Sequence, residues 1–309
     1  MMSMASRISL CAFTTACCAH SAIGQWNSNP AANLAIGDSA SDQNNVIVRP
    51  TSDGGCYISW LDGQANGWDP RLQKLDRFGN ELWAHGGVLV ADVALSFTTG
   101  YGLSVDPSNN AFLSFQDTRF GGMLITVAKV SPAGTLVWGA NGIQVSTSNG
   151  SSPRCAALDN GSVVVAWSEG SNVRRQRLDS SGSPLWTAGG MIEPTPGGNS
   201  DLICDVVALD FDRAAVSWVR NPSRFLYAQK YGGSGNGFWN AGSPVVIFDG
   251  SALQFGYFPT FVATGDGGAA FAWYETGGTR NVYTQRLGNG GMELHPHNGV
   301  AVSLNIAGR

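Results

Sequence analysis

The chain alternates short apolar runs with clusters of Gly, Asp, Ser and Asn, and the runs recur with a near-constant period. A run closes on an aromatic residue at Trp60, Phe115, Trp167, Trp218 and Trp273, with spacings of 55, 52, 51 and 55 residues. A second set lies at Trp83, Trp138, Trp186 and Trp239, with Leu294 in the fifth slot. Between the sets sits a third element: Leu72-Gln73-Lys74-Leu75, then Ala128-Lys129-Val130, Arg175-Gln176-Arg177-Leu178, Ala228-Gln229-Lys230-Tyr231 and Thr284-Gln285-Arg286-Leu287. Self-similarity of this length marks a repeat architecture.

Each copy spells four short strands. In the first they are expected at Val46 to Thr51, Cys56 to Leu61, Arg71 to Leu75 and about Glu81 to Val90, with turns at Ser52-Asp53-Gly54-Gly55 and Phe78-Gly79-Asn80. Such spelling predicts antiparallel meanders. A single four-stranded sheet cannot bury both faces, whereas sheets stacked radially bury the faces between neighbours. The pattern therefore predicts an all-β fold, a β-propeller of four-stranded antiparallel blades, with repeats near 46–92, 102–148, 153–196, 205–250 and 259–305. The aromatic lattice supplies its inter-blade core.

Trp26 and the run Asn33-Leu34-Ala35-Ile36-Gly37 match the end of a repeat, which predicts an extra N-terminal strand near 26–38. Five blades is the first choice. Six with one incomplete is the alternative.

Composition fits this picture. Of 309 residues, 41 are Gly and 13% are charged, with only three Lys, and no stretch carries the period of an amphipathic helix. The net charge of -4 and the scattered Arg residues provide no basic stripe, which argues against nucleic acid as a partner.

Residues 1–24 read as a signal peptide, with Arg7, a mostly apolar stretch from Ile8 to Ile23, and Ala22-Ile23-Gly24 before the cleavage point. The expectation is a secreted or cell-surface protein, its single propeller domain spanning 25–309, without a membrane span. Removing the signal leaves Cys56, Cys155 and Cys204, so at most one disulfide can form. Cys155 and Cys204 occupy similar places in consecutive repeats, which permits a bridge, but buried free thiols are the preferred reading.

The repeat resembles the tandem β-propeller repeats of large secreted bacterial proteins, with their Gly-Gly turn, Trp-x-Asp strand end and Tyr-x-Gln-Arg-Leu-Asp element. Gly267-Gly268, Trp273-Tyr274-Glu275 and Tyr283-Thr284-Gln285-Arg286-Leu287 carry the likeness best. It implies an architecture and no activity, since such repeats are mostly of unassigned function and fold does not imply function.

Candidate chemistry lies in the loops after the second strand. Asp62, Asp117, Glu169 and Glu275 each follow the aromatic by two residues, the fourth copy has Arg220 there, and Arg71, Arg119, Arg174 and Arg280 lie nearby. A ring of carboxylates can bind a cation such as calcium or protonate a glycosidic oxygen. An acid repeated beside its own Arg is also what a blade-stabilising ion pair looks like. Catalytic residues usually break a repeat's symmetry, and these obey it.

Residues off the lattice are the better binding candidates. Trp68 is an additional aromatic expected to be exposed, and Tyr257 and Phe258 lie in the connection from Asp249 to Pro259. Rim aromatics suit stacking on sugar rings, or pack as loop plugs. His295 and His297 resemble the start of a zinc or copper site, but no third ligand is identifiable, and no nucleophile elbow appears.

The residues accordingly point first to a non-catalytic binding or scaffold propeller, requiring no cofactor, whose partner is a glycan or an extracellular protein, with Asp62, Trp68, Asp117, Arg119, Glu169, Tyr257 and Glu275 as candidate contacts. The alternatives are a glycan-active hydrolase or lyase with carboxylates at the channel mouth and a structural module of a surface assembly.

Overall fold

The computed structural model describes residues 29, 31, 33–96, 98–275 and 281–303. They form five four-stranded antiparallel sheets, each a simple meander in chain order. The first contains β1 (Gln43–Pro50), β2 (Cys56–Gln64), β3 (Gly67–Leu75) and β4 (Val88–Leu89). The second contains β5 (Gly102–Val105), β6 (Ala111–Asp117), β7 (Leu124–Val130) and β8 (Ile143–Gln144). The third contains β9 (Ser151–Ala157), β10 (Val163–Glu169), β11 (Asn172–Leu178) and β12 (Met191–Ile192). The fourth contains β13 (Ser200–Asp210), β14 (Arg213–Asn221), β15 (Phe225–Tyr231) and β16 (Val245–Phe248). The fifth contains β17 (Phe261–Ala263), β18 (Ala269–Tyr274), β19 (Val282–Leu287) and β20 (Val300–Ser303). The first strands of all five sheets line one central cavity of about 580 Å³, the arrangement of a propeller.

The lattice is core, as periodicity demands. Trp60, Phe115, Trp167, Trp218 and Trp273 are each at most 3% exposed. The outer set works across junctions. Trp83 Nε1 donates to the Pro132 carbonyl at 3.1 Å, Trp186 Nε1 to Gly233 at 2.8 Å and Trp239 Nε1 to Asn289 at 2.9 Å. In each case the ring lies over the glycine two residues further on, Gly134, Gly235 or Gly291, where a Cβ would collide with it. Those glycines have φ between +81° and +86°, a region costly for other residues, so turn and latch require the same residue. At the junction of the second and third sheets, Trp138 covers Gly182 in the same way, but Lys129 Nζ takes the Ser180 carbonyl, at 3.1 Å.

Two details differ from the sequence reading, and the thiols agree with it. The fourth strand of each blade is short, only Val88–Leu89 where Glu81 to Val90 was expected, because a turn closed by Gly87 N–H on the Ala84 carbonyl interrupts it after the single bridge of Leu75 to Glu81. Of the expected N-terminal strand, residues 26–28, 30 and 32 lie outside the described residues, and 29, 31 and 33–38 form no strand. Cys56, Cys155 and Cys204 are free thiols, and burial in apolar surroundings raises the pKa of Cys155 and Cys204.

No hydrogen bond or ion pair among the described residues joins the fifth sheet to the first. Val46 and Val48 of β1 and Val262 of β17 are more than half exposed. Residues 1–24, expected to be a signal peptide, lie outside the described residues, and no helix among those described is long and apolar enough to cross a membrane.

Candidate functional site

The repeated acids sit at or just past the ends of the second strands, and three of them meet an arginine of their own sheet. Asp62 pairs with Arg71 Nε at 2.9 Å, Asp117 with Arg119 Nη2 at 2.7 Å and Glu169 with Arg174 Nε at 2.6 Å. The arginines continue outward: Arg71 donates to the Gly86 carbonyl, Arg119 to Ala140 and Asn141, and Arg174 to Gly189 and Gly190. Each pair thus ties a hairpin to the glycine turn of its own outer strand. Burial opposes ionisation of Asp62, yet Ser39, Gln43 and Arg71 outweigh it and hold its pKa below the usual carboxylate range.

The fourth sheet makes the same pair with the partners exchanged. Arg220 occupies the acid's position and meets Asp201 of β13, opposite it in the ladder, through two hydrogen bonds of 2.7 Å. In the fifth sheet Glu275 accepts from Tyr283 Oη at 3.1 Å and Ser251 Oγ at 3.2 Å, while Arg280 lies outside the described residues.

None of these acids lines the central cavity. Its charged lining is Arg49 of β1 and Asp205 of β13. Asp205 accepts from the Val206 amide at 2.9 Å, and burial raises its pKa against the pull of that amide, Arg154 and Arg49. Sequence reasoning passed over this residue, although a charged side chain inside the apolar run Ile203-Cys204-Asp205-Val206-Val207 was a usable signal.

Trp68 is half-buried rather than exposed. Its backbone pairs with Leu95 in both directions at 3.1 Å, and its side chain packs on the core shared by the first and second sheets. His297 has both ring nitrogens engaged, Nδ1 by Glu293 and Nε2 by Asp249, each at 3.0 Å, while the backbone of His295 bonds to Gln285. Among the described residues, no group of three or more His, Cys, Asp and Glu converges as metal ligands.

The connection between the fourth and fifth sheets is different in kind. Tyr257 stacks on Tyr274 of β18 with ring centroids 4.1 Å apart, and Phe255 beside it is 86% exposed. Tyr274 Oη donates to Gln254 Oε1 at 3.4 Å. Arg224 holds this loop from the β14–β15 turn, where it is 7% exposed with φ of +58°. Its guanidinium donates to the carbonyls of Leu253 at 3.0 Å, Gln254 at 2.7 Å and Tyr257 at 3.1 Å. It also lies 5.6 Å from the Phe255 ring centroid and 5.7 Å from that of Phe258. The result is an aromatic ledge fixed by one buried arginine, with polar groups at its edge. Sequence reasoning found Tyr257 and Phe258 but missed Arg224 and Tyr274, because the first looks like a turn residue and the second belongs to the lattice strand.

No family model and no curated protein matches the sequence. The structure is similar to a polysaccharide lyase, the PL25 ulvan lyase bound to -[GlcA(1-4)Rha3S]-, with 13% identity, TM-score 0.56, and coverage of 88% of this chain and 74% of the lyase. It is also similar to the fucose-recognising lectin of Aleuria aurantia, a six-bladed β-propeller, with 17% identity, TM-score 0.50, and coverage of 89% of this chain and 83% of the lectin. At such identities the likeness identifies the fold: the chain is an all-β protein with the blade architecture of a β-propeller.

Proposed function

We propose that this is a secreted, non-catalytic glycan-binding propeller, and that the ledge of Phe255, Tyr257 and Tyr274 is its binding surface. The observation that carries the reading is the Arg224-pinned loop presenting Phe255 at 86% exposure beside a stacked tyrosine pair. An aromatic face offers a sugar ring its apolar side, and Gln254 and Glu275 lie within reach of hydroxyl groups. A loop held in place by three guanidinium bonds loses little entropy on binding.

The engagement of Asp62, Asp117 and Glu169 by their own arginines supports a structural role for the repeated acids. A hydrolase needs two carboxylates converging at roughly 5–10 Å, one free to hold a proton. That two similar solved structures are described with sugars favours a glycan over a protein as ligand. The likeness of the repeat to those of secreted bacterial propellers, together with the expected signal peptide, supports an extracellular setting.

The test is a glycan array probed with residues 25–309, followed by calorimetry on the best binder. Phe255→Ala and Tyr274→Ala are expected to weaken binding at least tenfold, and Trp68→Ala to leave it unchanged. Array binding indifferent to both ledge substitutions, or cleavage of the bound glycan, would overturn the reading.

A further inference from the structure

The first strands break the repeat where they face the central cavity. Arg49 stands opposite Tyr57 in the ladder, and the same register position in the other four sheets holds Ser104, Ala156, Val207 and Val262. All five line the cavity, four of them small or apolar and one a guanidinium. Two residues earlier on the same strand face, the first four sheets place Ile47, Gly102, Arg154 and Asp205. Neither packing nor the period of the repeat requires a charge at these positions.

The rest of the protein makes little use of the three charges. Arg49 donates to the carbonyl of its neighbour Val48 at 3.0 Å. Arg154 donates to the carbonyls of Pro153 at 3.0 Å and Tyr101 at 3.4 Å. Asp205 accepts from the Val206 amide at 2.9 Å, and both arginines are near enough to favour its ionised form without an ion pair forming among the described residues. The rim acids Asp62, Asp117 and Asp201 differ, since each is engaged by an arginine of its own sheet.

Two guanidinium groups and one carboxylate leave the cavity one surplus positive charge. Its volume of about 580 Å³ suits a small molecule, and Leu103, Val105, Val206 and Phe261 give it apolar walls. A guanidinium matches a carboxylate through two parallel hydrogen bonds, and a carboxylate accepts from hydroxyl groups. A zwitterionic amino acid would leave the surplus charge unbalanced, and a neutral sugar would leave Arg49 unmatched.

We propose that the central cavity is a second binding site, which takes a hydroxy acid of sugar size: Arg49 holds the carboxylate, Asp205 accepts from hydroxyl groups, and Arg154 balances the charge of Asp205. The site is separate from the aromatic ledge and does not depend on it. A free sugar acid and the acidic end of a glycan present the same groups.

The experiment is calorimetry of the full exported chain with D-glucuronate, against glucose, serine, sulfate and acetate. Glucuronate is expected to bind, and the other four to bind roughly tenfold more weakly or worse. Arg49→Met should weaken glucuronate binding by roughly tenfold or more, and Asp205→Leu should erase the preference for glucuronate over acetate. Phe255→Ala should change neither, which separates this site from the ledge. Should Asp205→Leu fail to fold, Arg49→Met decides, because Arg49 is exposed and its side chain supports no other element through the bonds above. Binding of the monomer supports the site whether or not a uronate tetrasaccharide competes; competition marks a glycan end as the natural source, and its lack marks a free acid. No binding of glucuronate at millimolar concentration, binding indifferent to Arg49→Met, or equal binding of serine or sulfate would overturn the proposal.

Discussion

Asp201 and Arg220 face each other across the β13–β14 ladder, and the guanidinium donates two hydrogen bonds of 2.7 Å to the fully buried carboxylate. The fourth sheet thereby keeps the ion pair of its neighbours while placing its charges on opposite strands. What the first four sheets preserve is the pair, not the acid.

Arg220→Met is therefore expected to cost about 3–5 kcal/mol, the price of an uncompensated buried carboxylate. Arg71→Met should cost about 1 kcal/mol or less, because Arg71 is 29% exposed and Asp62 keeps its bonds from Ser39 and Gln43. Urea unfolding of the two variants checks the order. Equal losses would mean that burial does not set the strength of these pairs.

A glutamine follows the same logic in four sheets. Gln176 Oε1 accepts the backbone N–H groups of Arg177 and Trp186 while its Nε2 donates to the Thr187 carbonyl; Gln229 and Gln285 make equivalent bonds, and Gln73 accepts from Lys74 N–H and donates to the Ala84 carbonyl. In the second sheet Ala128 stands in that position. Gln176→Leu leaves buried backbone groups unpaired and is expected to lose about 2–4 kcal/mol, measurable by thermal or urea unfolding. A loss below 1 kcal/mol would show that water replaces the amide.

His85 and His297 give stability a pH dependence of known sign. Hydrogen bonds to Glu81 and Asp38 raise the pKa of the first, and Glu293 and Asp249 raise that of the second. A raised folded-state pKa means that the stabilisation is complete below the unfolded value of about 6.5 and disappears as pH rises through the folded value. NMR titration should find both imidazoles titrating above the ordinary histidine value of about 6.5. His297→Gln should flatten the fall in Tm across that window.

Gly190 and Gly170 separate conformational strain from collision. Both have positive φ, +84° and +58°, but a Cβ on Gly190 would lie 2.6 Å from the Trp167 ring, whereas nothing lies within 4 Å at Gly170. Gly190→Ala is expected to cost about 3–5 kcal/mol and Gly170→Ala about 1–2 kcal/mol. Comparable Tm values for the two would rule out the packing contribution.

The lattice of Trp60, Phe115, Trp167, Trp218 and Trp273 and the five meanders were readable from the chain alone. Burial of alternate side chains on a strand imposes a period of two, and stacked sheets impose a longer one. Both are local or repeated constraints, so each copy reports them again. The partner of a polar side chain is decided differently, by register, sheet spacing and the path of a connecting loop. Only the tertiary structure could therefore pair Arg220 with Asp201, place Asp205 in the central cavity, fold Trp68 onto the core and bring Arg224 under Phe255. Those contacts join residues remote in sequence, and no periodicity requires them.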